Sequence, residues 1–218
     1  MASSKAHAGE CVILLHGLIR TDASLKKMAS ALSSAGYITI NVNYPSTKHV
    51  IKELADVTIS DALSQCPSGV KVHFVTHSLG GILVRQYLSA SVIENLGRVV
   101  MLGPPNQGSE IVDSLRNVPG FERMHGFAGL QLGTDDQSVP KVLGPANFEL
   151  GVIAGTRSVN PILSTMIAGK DDGKVSVDNT KLEGMADHIS LPVTHPFMMR
   201  NRSVIRQVIY FLQNGKFE

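Results

Sequence analysis

Val70-Lys71-Val72-His73-Phe74-Val75-Thr76-His77-Ser78-Leu79-Gly80-Gly81 (VKVHFVTHSLGG) is the stretch from which the fold can be read. Its first half is an apolar, β-branched run of the length of a buried strand. Its second half opens a helix, since Ile82, Leu83, Tyr87 and Leu88 recur at helical spacing up to Ala90. Between the two lies a serine in a turn too short for anything but a sharp reversal. A serine in such a strand-to-helix turn presents its Oγ above the sheet edge, and the turn demands small residues on either side. Gly80 meets that demand, whereas Thr76 stands where glycine is usual. Ser78 also sits at a helix N-terminus, where free N–H groups and the helix dipole favour a developing anion. The alternative reading is a serine that merely caps a helix.

The same alternation continues outward in both directions. Cys11–Leu15 (CVILL), Tyr37–Val42 (YITINV), Arg98–Leu102 (RVVML) and Glu149–Ala154 (ELGVIA) read as further strands. Helices are expected from Asp22, as N-cap, to Ala35, over Val50–Leu63, over Ser109–Arg116, and finally over about Phe197–Gln213. Strands alternating with helices predict an α/β fold, a mostly parallel sheet with helices on both faces in one compact domain spanning residues 1–218. From Gly103 to Phe148 the pattern breaks into Gly-, Pro- and polar-rich sequence. A connection that long suits either a lid- or cap-like insertion over 104–148 or an ordinary surface excursion. Within it Phe121, Met124, Phe127, Leu130 and Leu132 suit an acyl groove or the core of a short helix equally well.

With 218 residues, 43% of them hydrophobic and 17% charged, the chain can bury a core without metals or disulfides. A formal net charge of +2 argues for neither nucleic acid nor an anionic membrane as partner. No apolar run reaches membrane-spanning length, and Met1–Glu10 lacks the apolar core of a signal peptide. Cys11 and Cys66 are expected to be free, buried thiols, which suits a reducing compartment. The expected location is therefore cytoplasmic, with secretion as the alternative. There is no His-Glu-x-x-His and no cysteine-rich ligand cluster, so neither metal nor cofactor is called for.

Several segments taken together carry a resemblance. Val75–Gly81 (VTHSLGG) resembles the nucleophile elbow of lipases and esterases of the α/β-hydrolase superfamily. Leu14-Leu15-His16-Gly17-Leu18 is similar to their oxyanion loop, and Gly103–Ser109 (GPPNQGS) to the Pro-x-x-Gly-Ser segment after the next strand of bacterial lipases. Asp171–Val175 (DDGKV) resembles their Asp-Gly-x-Val acid loop. The segments occur in order over most of the chain, from about Cys11 to Leu212, while Asn117–Phe148 matches no part of the pattern.

The resemblance implies an α/β-hydrolase fold and a serine carboxylic ester hydrolase acting on aliphatic acyl esters through an acyl-enzyme. Ser78 would be the nucleophile, and the N–H groups of Leu79 and Leu18 the oxyanion donors. The order serine, acid, histidine places the base late, and the position directly before the last helix selects His195 over His188. Asp171, Asp172, Asp178, Asp187 and Glu183 are candidates for the acid. The family's acid directly precedes glycine, which selects Asp172, with Asp171 second and a solvated Asp-Gly turn as the plain alternative. His16 is expected to support its loop rather than react. The same acyl-enzyme would serve an amidase, thioesterase or acyltransferase, and a non-catalytic binding protein on the same scaffold is the weakest reading. The partner implied is a small-molecule or lipid ester.

Overall fold

The computed structural model describes residues 9–218; most of Met1–Glu10, the stretch read for a leader, lies outside them. Six strands form one sheet: β1 (Cys11–Leu15), β2 (Ile38–Val42), β3 (Val72–His77), β4 (Leu96–Leu102), β5 (Leu150–Gly155) and β6 (Asp187–Leu191). Their order is β2-β1-β3-β4-β5-β6, and every neighbouring pair is parallel. The helices that connect them are α1 (Lys26–Ser34), α2 (Ile51–Ser64), α3 (Leu79–Ala90), α4 (Glu110–Leu115), α5 (Phe121–Leu130), α6 (Val139–Val142), α7 (Pro161–Ser164), α8 (Val177–Thr180) and α9 (Arg202–Asn214).

The period of two along each strand divides the core into two layers. Ile13, Leu15, Phe74, Val99, Met101 and Val152 face one side, where Leu54, Ile59, Ile82 and Leu83 of α2 and α3 cover them. Val12, Leu14, Val75, Val100, Leu102 and Ile153 face the other, against Met28 and Leu32 of α1 and Val204, Val208 and Phe211 of α9. A central strand covered on both faces is apolar throughout, which is why β1 reads as an unbroken run. At Gly151 the fit is close: a Cβ there would lie 2.6 Å from the Phe211 ring.

The strands expected from sequence are all present, and β6 is an addition. It escapes sequence reading because it is a five-residue edge strand, DHISL, none of whose positions is fully buried and whose apolar alternation is confined to Ile189 and Leu191. Two helix starts also differ. Asp22 does not cap α1; it lies in a 3₁₀ turn (Asp22–Ser24) before the helix begins at Lys26. The last helix begins at Arg202 rather than Phe197, because Asn201 is extended and its side chain accepts from the N–H groups of Ser203 and Val204. Gly215, at φ 74°, ends it.

The cysteines correct a further expectation. Cys11 and Cys66 are not free thiols but form a disulfide. Cys66 follows α2, and that helix packs on the sheet face to which Cys11 contributes, so the two side chains meet although 55 residues separate them.

The excursion over 104–148 is built of α4, α5 and α6 and is tied to the body at several points. Buried Arg85 of α3 donates to the main-chain oxygens of Asn106, Pro140 and Gly144, at 3.0, 2.9 and 2.8 Å. The N–H of Ile51 donates to the Gln131 side chain at 2.7 Å. α5 is broken at Gly126 (φ 66°), where any Cβ would collide with the main chain of Thr47.

Candidate active site

β3 and α3 meet at Ser78, which adopts φ 54° and ψ −121°, a left-handed conformation that L-residues rarely take. The turn is possible because its neighbours are small. A Cβ on Gly80 would lie 2.6 Å from the Leu15 carbonyl oxygen, and one on Gly81 would lie 2.9 Å from Met101 Sδ. Thr76, in the place of the usual glycine, fits fully buried in β3.

The loop after β1 comes up beside the serine. Gly17 approaches so closely that a Cβ there would lie 3.1 Å from Ser78 Cβ and 2.7 Å from His77 Nδ1. His16 holds this loop rather than facing the cavity. Its Nδ1–H donates to the Gly17 oxygen at 2.8 Å, its Nε2 accepts from the Tyr44 N–H at 3.3 Å, and its ring stacks on Tyr44 at 4.1 Å. The Tyr44 hydroxyl donates to the His16 oxygen at 2.5 Å. Burial keeps the His16 imidazole below the usual histidine range. Ile19 carries the loop's strain at φ 56°, with its N–H donated to Ser46 Oγ. Among the described residues, the N–H groups of Leu18 and Leu79 donate to no other group of the protein.

The acid loop follows β5. Asp172 is fully buried, and its Oδ2 accepts from His195 Nδ1–H at 2.7 Å. Its Oδ1 accepts from the N–H groups of Lys174 and Val175 at 3.0 and 2.9 Å, so the carboxylate is held at both oxygens. The His195 N–H in turn donates to the Asp172 carbonyl at 2.9 Å. Asp171 points elsewhere: its Oδ1 accepts from Gly173 N–H and Ser164 Oγ, and so shapes the turn. Asp178 is exposed and paired with Lys181, Asp187 accepts from the Phe217 N–H, and Glu183 is exposed. His188 lies on β6, with its Nε2 against Thr180 Oγ1 at 3.0 Å.

Sequence reading missed three features of this assembly. Gly103 (φ 52°) and Gly155 make room for the pair: a Cβ on Gly103 would lie 2.9 Å from Asp172 Oδ2 and one on Gly155 2.7 Å from Asp172 Cβ. His77 lies beneath the site, where its Nε2–H donates to the His195 carbonyl oxygen at 3.0 Å, its Nδ1 has no hydrogen-bond partner among the described residues, and the two rings lie 4.6 Å apart. His125, which had no place in the sequence argument, stacks on Phe121 at 4.1 Å and lines the cavity. Only His77 left a signal, being adjacent to the serine.

Ser78 and His195 line one cavity of about 290 Å³ together with Leu18, Pro105, Ile111, Val112, Phe121, Leu132 and Val175. No hydrogen bond joins Ser78 to His195 among the described residues; such contacts often tighten only when substrate binds. Of the groove candidates in the excursion, Phe121 and Leu132 reach this cavity, while Met124 and Phe127 face outward and are 63% and 53% exposed. Among the described residues, no cluster of three or more His, Cys, Asp or Glu is arranged to hold a metal ion, and no helix is long and apolar enough to cross a membrane.

No family model and no curated protein matches the chain. Solved structures do. The mature form of the Bacillus licheniformis lipase BlEst2 superposes with a TM-score of 0.70 at 18% identity, covering 94% of this chain and 93% of that one. The phospholipase PlaB from Legionella pneumophila gives 0.72 at 17% identity over 96% of this chain, which spans 60% of PlaB's length. The metagenomic carboxyl esterase MGS0156 gives 0.69 at 19% identity, with coverage of 87% and 65%. At such identities the likeness concerns architecture, and with the all-parallel sheet and the strand-turn-helix at Ser78 it identifies the chain's fold as that of the α/β-hydrolases.

Proposed function

We propose that the chain is a serine carboxylic ester hydrolase in which Ser78, His195 and Asp172 form the triad. The observation that carries this reading is the buried 2.7 Å pair of His195 Nδ1 and Asp172 Oδ2, opening onto the cavity that Ser78 lines in a strained elbow. With Nδ1–H given to Asp172, Nε2 of the neutral ring is left as the proton acceptor. Ser78 Oγ attacks the ester carbonyl carbon while its proton passes to His195 Nε2. The carbonyl oxygen becomes an oxyanion, received by the N–H groups of Leu79 and Leu18, donors of a kind worth about 3–4 kcal/mol each. Collapse breaks the ester C–O bond, and the leaving alcohol takes the proton from His195. Water then attacks the acyl-serine with His195 again as base, releasing the acid and restoring Ser78.

The cavity sits near the lower end of the range for ligand pockets, roughly 300–1,000 Å³. Its apolar walls, including Phe121 and Leu132, favour short to medium aliphatic acyl groups. The ties from Arg85 and Ile51 favour a cap over 104–148 that stays packed on a single domain. The Cys11–Cys66 disulfide favours an oxidising location outside the cytoplasm, since such bonds are rarely kept in a reducing compartment. The test is hydrolysis of p-nitrophenyl butyrate and palmitate with Ser78→Ala as blank. Butyrate cleavage that depends on Ser78 is expected; cleavage equal in enzyme and blank for both esters would overturn the reading.

A further inference from the structure

The cavity walls divide by chemistry. Ile111, Val112, Phe121 and Leu132 are buried and form an apolar interior, 4–8% exposed. Two cations, Arg20 on the loop after β1 and Lys174 on the acid loop, also line the cavity but remain solvent-exposed, so they stand at its mouth. Each follows closely on a feature of the proposed chemistry, Arg20 two residues after the oxyanion donor Leu18 and Lys174 two after Asp172. Neither makes an ion pair among the described residues, whereas Lys26, Lys52, Arg98 and Lys181 each do. Among the described residues, no Asp or Glu side chain lines the cavity; Asp172 lies behind His195 with both oxygens engaged. The two cations are also near enough to act on each other: burial above all holds the Lys174 ammonium below its usual range, the Asp172 carboxylate opposes this, and Arg20 adds to it. Two like charges without an ion-pair partner at the rim of an apolar hole leave room for an anion between them, which both would attract.

We propose that Arg20 and Lys174 form a subsite for an anionic group on the leaving alcohol, so that the substrates are acyl esters of a phosphate-bearing alcohol. This rests on the ester-hydrolase reading above. The acyl chain occupies the apolar interior, its carbonyl lies at Ser78, and the alcohol points out to the cationic mouth. Arg20 can meet a phosphate in two-pronged fashion, and Lys174 supplies a point charge. The bond broken is still the acyl C–O bond. The alcohol leaves with its proton from His195, and the phosphate takes no part in bond making.

The test compares octanoylglycerol-3-phosphate with mono-octanoylglycerol, two esters that differ in the phosphate alone, by the octanoate released above a Ser78→Ala blank. The expected result is a kcat/KM higher by at least about tenfold for the phosphate ester, of the size that charged hydrogen bonds provide. The Arg20→Gln/Lys174→Gln double variant should bring that ratio to about one. Because the ratio is read within one protein, partial misfolding of the variant cancels. Three arms bound the idea. A ratio near one in the native protein, or a ratio that survives in the double variant, overturns it. A preference for 4-nitrophenyl monoglutarate over 4-nitrophenyl valerate, with none for the phosphate ester, puts the anion on the acyl side and overturns it too. Inhibition by inorganic phosphate with no preference between the esters makes the pair a free-anion site and likewise overturns it. If instead even p-nitrophenyl butyrate is not cleaved above the blank, it is the ester-hydrolase reading that has failed, and this proposal goes with it.

Discussion

His77 Nε2–H donates a 3.0 Å hydrogen bond to the carbonyl oxygen of His195, joining the residue before the elbow serine to the main chain of the histidine that serves Asp172. The contact spans 118 residues of sequence. It arises because His77 is the last residue of β3 and its side chain alternates onto the sheet face against which the segment before α9 packs. The His195 ring is therefore held from two sides, through Nδ1 by Asp172 and through its backbone by His77.

His77→Phe keeps an aromatic ring, somewhat larger, but removes the donor. A buried carbonyl left unsatisfied costs about 1–3 kcal/mol, so chemical denaturation should show a loss of that size. The kcat for p-nitrophenyl butyrate should fall more than KM rises, because base position and not substrate affinity is disturbed. His77→Gln, which restores an N–H donor, should recover part of both. Equal stability in all three proteins would show that the bond contributes nothing.

Asp172 and Asp171 are adjacent, yet only the former touches His195. Asp172→Asn should lower kcat by about 10²- to 10⁴-fold, as wrong-tautomer variants of other triads do. Asp171→Asn retains an oxygen for the Gly173 N–H and should cost less than about tenfold. Single-turnover acylation rates for the two variants decide between them; reversed sizes would move the acid to Asp171.

Burial holds His77 well below the usual histidine pKa of 6.5, with the neighbouring His195 as a second cause, and burial likewise lowers His16. In the unfolded chain both take up a proton near pH 6.5, whereas in the folded chain they resist it. The unfolded state then binds more protons, so stability rises with pH across this window. Folding stability should be complete above pH 6.5 and decline as the pH falls from there through the depressed folded-state values. The slope approaches about 1.4 kcal/mol per pH unit for each histidine. Urea titrations at pH 7.5, 6.0 and 5.0 measure this directly. A midpoint unchanged over that range would mean that neither ring is kept neutral by the fold.

Closing a loop of 55 residues, the Cys11–Cys66 bond should stabilise the chain by about 4 kcal/mol on the chain-entropy argument. Reduction should lower Tm by on the order of 10 °C for a protein of this size. A Cys66→Ser variant should melt at the reduced temperature with or without reductant. No difference between oxidised and reduced melts would indicate that the thiols are unpaired in solution.

Arg85 is 4% exposed and satisfies carbonyl oxygens of the excursion, with no carboxylate partner among the described residues. Arg85→Met should leave those oxygens unpaired and free the 104–148 segment, at a cost of about 1–3 kcal/mol for each lost charged bond. Limited proteolysis should then cut within that segment of the variant well before it cuts the native chain. Identical cleavage kinetics would show that the segment is held by other contacts.

What the sequence determined is what lies in local periodicity and short-range sterics. The unbroken apolar run at Cys11–Leu15 specifies a strand covered on both faces, the β-branched run over Val70–Val75 a second strand, and helical spacing within about Phe197–Gln213 an amphipathic helix whatever its partner. The turn at Ser78 was legible because its strain demands small neighbours within three residues, and Gly80 and Gly81 supply them. Tertiary structure decided whatever depends on atoms distant in sequence meeting in space. The resemblance picked Asp172 by its place before Gly173, but which carboxylate reaches His195 depends on how the turn at Gly173 folds, and there it is Asp172 Oδ2 that does so while Asp171 shapes the turn. The disulfide depends on α2 returning across the sheet, the edge strand β6 on a neighbour supplying hydrogen bonds that its polar side chains do not advertise, and the meeting of Arg20 with Lys174 on two loops converging over one cavity. Periodicity encodes which face of an element is buried; only packing decides what it is buried against.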